Sequence, residues 1–119
     1  MPNQLNLFDF TPPELACTAN AEIGSWTFAD LRKWAESIVS GWKVEPYGKT
    51  KENIICKRNK REINLHLGRV WKFDTEKYVP AIHFDWWDAK KQSGGGCAYD
   101  DVAKCEERVR LRAREFGWI

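Results

Sequence analysis

Glu62, His66, His83 and Asp85 are the residues whose types and spacing suggest metal chemistry; the two histidines are the only ones in this 119-residue chain. Ile63, Leu65 and Leu67 alternate with Glu62, Asn64 and His66, and Ile82, Phe84 and Trp86 alternate with His83, Asp85 and Trp87. Strand alternation therefore puts the four polar groups on one sheet face wherever their strands are close. Imidazole and carboxylate ligands with water would hold a divalent ion for phosphodiester hydrolysis. The chain has no H-E-x-x-H and no paired-cysteine spacing, and a half-exposed strand with surface histidines gives the same pattern. No catalytic or metal-binding residue is assigned on this basis, and no cofactor is expected.

A second cluster is electrostatic. Lys57-Arg58-Asn59-Lys60-Arg61 forms a cationic hairpin tip, with Lys49 and Lys51 in the turn before it. Lys49, Lys51, Lys57, Arg58, Lys60 and Arg61 would track the phosphates of DNA or RNA, with Trp71 and Trp87 near enough to stack on unpaired bases. Charged turns also solvate small sheets and discourage edge-to-edge association, so this second reading stands beside the first. Gly94-Gly95-Gly96 lacks the Lys-Ser/Thr pair of a phosphate cradle. Asp100 and Asp101, which follow it, would repel phosphate and suit a helix N-terminus. Cys17, Cys56, Cys97 and Cys105 match no common metal or disulfide spacing, and reduced thiols are expected.

The N-terminal residues Gln4-Leu5-Asn6-Leu7-Phe8 resemble the bacterial sliding-clamp-binding motif, written Q-L-[SD]-L-F, with Asn6 in place of serine or aspartate. The resemblance implies that the Gln4 amide fixes register while Leu5, Leu7 and Phe8 enter apolar pockets on the DNA sliding clamp. Burial of each large side chain would contribute roughly 1.5–3 kcal/mol, less the cost of ordering the peptide. Even a weak tether of this kind raises the local concentration of the attached domain on DNA. The residues also allow another destination, with Leu7, Phe8 and Phe10 packed on the chain's own domain as an edge strand or a groove plug.

These groups must be positioned by a single domain, the usual expectation for 119 residues of which 43% are hydrophobic and 30% charged. Residues 1–24, with Thr11-Pro12-Pro13-Glu14, read as a flexible docking tail and linker, and residues 25–119 as the domain. A net charge of +2 supports no bulk attraction to nucleic acid. No apolar run has transmembrane length and no signal-peptide pattern is present, so the cytoplasm is expected and a membrane partner is not. Of the seven tryptophans, one or two are expected on the surface and the rest in the core.

Thr27-Phe28-Ala29-Asp30 predicts a capped helix with Phe28, Leu31, Ala35, Ile38 and Trp42 on its stripe, ending near Gly41 and leaving Trp34 off the stripe. Period-two patterning predicts strands at 42–47, 53–58, 61–72 and 78–87, the third interrupted at Gly68. Residues 90–96 read as a flexible loop, and a last helix starts about Asp100 with Val102, Cys105, Val109, Ala113 and Phe116 inward. The expected fold is α+β, a two-layer sandwich in which a four-stranded antiparallel sheet carries both helices on one face. The function expected is a small non-enzymatic adaptor or regulator, encoded by a phage or mobile element, that docks on the clamp and presents its domain to DNA or a replication protein. The alternatives are a metal-dependent phosphodiesterase on the His66/His83 face and an inhibitor that grips a host protein through exposed tryptophans. Oligomeric state is left open.

Overall fold

The computed structural model describes residues 23–47 and 51–119. The clamp-like motif Gln4–Phe8, the proline step, Cys17 and Lys49 lie outside the described residues, as does the side chain of Lys51. A single 3-10 turn, Ile23–Ser25, leads into α1 (Phe28–Ile38), followed by β1 (Lys43–Tyr47), β2 (Lys51–Arg58), β3 (Arg61–Lys72), β4 (Lys77–Asp88), β5 (Ser93–Tyr99) and α2 (Val102–Glu115). The strands form one antiparallel sheet in the order β1-β2-β3-β4-β5.

The α+β class and the antiparallel meander agree with the sequence reading, but the sheet has five strands where four were expected. The fifth is the segment read as a flexible loop. Gly94, Gly95 and Gly96 lie opposite Trp87, Trp86 and Asp85 in the β4–β5 register. A Cβ at Gly94 would stand 2.6 Å from the Trp87 ring, and one at Gly96 would stand 2.7 Å from Asp85 Cβ and 2.8 Å from the Phe84 carbonyl. The glycines let a strand lie against large neighbours, a use of glycine that a one-strand reading does not reveal. Gly68 does not interrupt β3 either. It pairs with Ala81, and the space a Cβ would fill is taken by the His83 ring, 2.7 Å away.

Local chemistry sets the element ends. In the capping box of α1, Asp30 N–H donates to Thr27 Oγ1 (3.1 Å) and Thr27 N–H to Asp30 Oδ2 (2.8 Å). At the other end, the Trp42 indole N–H donates to the Val39 carbonyl (2.8 Å), an acceptor the helix C-terminus leaves open, and shares the Ala35 carbonyl (3.0 Å) with the Val39 N–H. The helix therefore stops at Ile38, short of Gly41. Asp101 caps α2, its carboxylate accepting from Lys104 N–H. Asn59 and Lys60, both at positive φ (53° and 66°), make the two-residue turn between β2 and β3. This is the combination that matches strand twist.

One core joins the layers. Leu31, Trp34, Ala35 and Ile38 of α1 and Val102, Cys105, Val109 and Ala113 of α2 pack on Ile54, Cys56, Ile63, Leu65, Ile82 and Phe84 of the sheet. Ile23 belongs to the same core, although it falls on the tail side of the expected boundary. Trp34 was expected off the stripe and is instead buried, and its indole N–H reaches Glu106 Oε1 of α2 at 3.3 Å. A second helix on the same sheet face widens the buried sector of α1 beyond its own stripe.

Candidate functional site

The sheet face away from the helices carries a polar ladder across β2, β3 and β4. Asn53 Nδ2 donates to Asn64 Oδ1 (3.1 Å) and Asn64 Nδ2 to Glu62 Oε2 (3.0 Å). Asn53 and His66 are buried on this face, at 2% and 6% exposure. The Asp85 carboxyl is raised above the usual carboxylate range, chiefly by burial, with Asn64 acting against the shift and the Glu62 charge adding to it.

His66 and His83 face each other in register and stack, with ring centroids 4.7 Å apart and planes 9° from parallel. His83 Nε2 lies 2.9 Å from the Arg69 carbonyl, which only accepts, so that nitrogen carries the proton. The structure thus brings the four predicted face residues onto one side but in the wrong geometry for an ion. A metal lies in the plane of each ligating imidazole, and stacked rings 9° from parallel have planes that meet only well beyond bonding reach of both. Among the described residues no group of three or more His, Cys, Asp or Glu side chains is placed to hold a metal.

The basic hairpin splits into two kinds of residue. Arg58 donates to the Ser40 carbonyl and lies over the Trp118 ring, 5.5 Å from its centroid. Arg61 pairs with Asp88 (3.2 Å) and lies 5.6 Å from the Phe116 centroid. Both arginines pin the fold together. Lys57 is 67% exposed with Glu62 at 4.0 Å, and Lys60 is exposed in the turn. Of the predicted nucleic-acid residues with described side chains, only these two lysines project outward.

Asp88 anchors the neighbouring turn. It is 4% exposed and accepts from Arg61 and from the amides of Lys90 (2.9 Å) and Lys91 (3.3 Å). Burial pushes its carboxyl upward, yet the Arg61 and amide contacts outweigh it and hold the group below the usual range.

Among the described residues, one exposed aromatic cluster is a feature the sequence reading only touched. β3 and β4 run on past their pairing with β2 and β5 as a two-stranded ribbon, Gly68–Lys72 against Lys77–Ala81. On it Trp71 (37% exposed), Phe73 (84%) and Tyr78 (62%) form an edge-to-face cluster, with centroids 5.1 Å apart for Trp71–Tyr78 and 6.3 Å for Trp71–Phe73. Beside its base is a cleft of about 600 Å³ lined by Ile23, Trp26, Leu67, Tyr78, Pro80 and His83 among others. Trp71 and Trp87 are the two tryptophans left exposed, within the number expected. Phe73 was missed because an aromatic in a turn carries no periodic signal. Compared with protein-family models, curated proteins and solved structures, the chain matches none.

Proposed function

We propose that this chain is a non-enzymatic adaptor that docks on the DNA sliding clamp through Gln4, Leu5, Leu7 and Phe8 and offers the aromatic end of its β3–β4 ribbon to a replication protein. The observation that carries the reading is the N-terminal Gln4-Leu5-Asn6-Leu7-Phe8 itself, three large apolar side chains spaced as the clamp pocket requires. The character of the domain surface supports a protein as second partner. Arg58 and Arg61 are engaged by the chain's own groups, whereas Trp71, Phe73 and Tyr78 stand exposed together, and clustered aromatics are the usual anchors of protein interfaces.

The test is binding of the full chain and of a peptide of residues 1–12 to purified clamp by fluorescence anisotropy. Leu7→Ala with Phe8→Ala is expected to weaken both by about a hundredfold or more, the loss of two buried side chains. Equal affinity in the double variant overturns the proposal. Exposure of the aromatic end also fits an inhibitor of a host protein that makes no use of the clamp. In that case a pull-down target would be retained by Leu7→Ala/Phe8→Ala and lost by Phe73→Ala with Tyr78→Ala.

A further inference from the structure

The two edges of the sheet are not alike. β1 carries Lys43, Glu45 and Pro46, the charges and the missing N–H that discourage another strand from pairing. β5 reads Ser93-Gly94-Gly95-Gly96-Cys97-Ala98-Tyr99, with no charge and no proline, and Ser93 to Cys97 are exposed. Its inner side pairs with β4, and its outer side is the margin of the sheet among the described residues. Glycines leave that margin open to close approach by another backbone.

We propose that β5 pairs antiparallel with β5 of a second copy of this chain, about a two-fold axis at Gly96, joining two sheets into one. Residues opposite each other in an antiparallel pair share a face, so symmetric registers are allowed only in steps of two. The register centred on Gly96 sets Tyr99 against Ser93, Ala98 against Gly94 and Cys97 against Gly95. Each side chain in the bulky half of the strand meets a serine or glycine in the small half. Beyond the strand, the β4–β5 turn of one copy, with Lys90 and Lys91, would lie towards the Tyr99 end of the other, where Asp100, paired with Lys72 at 3.0 Å, and the α2 cap Asp101 follow, so unlike charges approach at both ends of the pairing.

The helix above supplies a third point of contact. Leu111 is 38% exposed on α2 and lines the cleft over Gly96 and Cys97 together with Arg108 and Arg112. This places it near the proposed axis, where the Leu111 side chains of the two copies would cover each other.

Sedimentation equilibrium of the full chain as a function of concentration tests the pairing. The wild type is expected to dimerise reversibly, with the Ser93–Tyr99 amides exchanging more slowly with solvent as concentration rises. Lys90→Glu with Lys91→Glu brings like charges towards the Asp100–Asp101 end of the other copy and is expected to weaken the dimer about tenfold. Leu111→Glu is expected to weaken it by a similar factor. All three substituted residues are exposed, and unchanged circular dichroism checks that each variant folds. A wild-type chain that stays monomeric up to about 0.5 mM overturns the proposal, and so does a dimer indifferent to both variants.

Discussion

Asp88 draws Arg61 and two turn amides onto one buried carboxylate, and its depressed titration makes a signed prediction. A folded-state pKa below the unfolded value means that the unfolded chain binds the proton more readily. The contribution is complete above the unfolded value and is lost as pH falls through the folded one, so wild-type stability should drop below about pH 4. Asp88→Asn should be less stable at pH 7 and show a shallower acid decline, measured as urea midpoints at pH 7 and pH 3. Asp85, raised by burial, works in the opposite sense and softens the wild-type decline. The thiols give a second residue-level test. Burial pushes Cys105 up to about 12 and raises Cys56, while Cys97 lies exposed on β5. Iodoacetamide at pH 7.5 followed by peptide mapping should label Cys97 in the native protein and leave Cys56 and Cys105 untouched until urea is added.

At the level of elements, β5 exists because three residues without side chains lie against Trp86, Trp87 and Asp85. Gly96→Ala must displace backbone and should cost about 1–3 kcal/mol by thermal or urea unfolding. Gly95→Ala should cost less, because its Cβ would meet only the Trp86 ring, at 3.2 Å. The end of α1 gives a parallel case: Trp42→Phe keeps the ring in the core but takes the indole donor from the Val39 carbonyl, while the Ala35 carbonyl retains the Val39 N–H, a loss of about 1–3 kcal/mol. These two elements also mark what the sequence could and could not reveal. Both helices, the capping box at Thr27 and the core faces of β3 and β4 were legible because apolar periodicity and capping chemistry are local signals. The fifth strand was not, because glycine carries no periodicity and its purpose here lies in the residues across from it. The polar face was legible as a face, but the stacking of His66 on His83 that unsuits it for a metal is a cross-strand distance no spacing encodes. Arg58 and Arg61 were legible as a basic cluster, and only their partners on other elements show them to be internal pins.

For the whole molecule, the C-terminus belongs to the fold. The Trp118 amide donates to the Ala113 carbonyl (2.8 Å), its ring packs on Phe116 with centroids 5.1 Å apart, and Arg58 of β2 covers it. Arg58 also holds the Ser40 carbonyl just past α1, so one side chain links the ends of both helices. Deletion of Trp118 and Ile119 should lower stability by about 2 kcal/mol or more in urea titrations, since it removes a packed indole and uncovers Phe116. No described helix is long and apolar enough to cross a membrane. The strand order has a mechanical consequence. Because every strand pairs with its neighbour in sequence, a pull on the two ends loads the sheet from its margins inward. The helices would be drawn off first, and the hairpins would then unzip a few hydrogen bonds at a time, with no pair of strands sheared lengthwise. Such a domain should yield at low force.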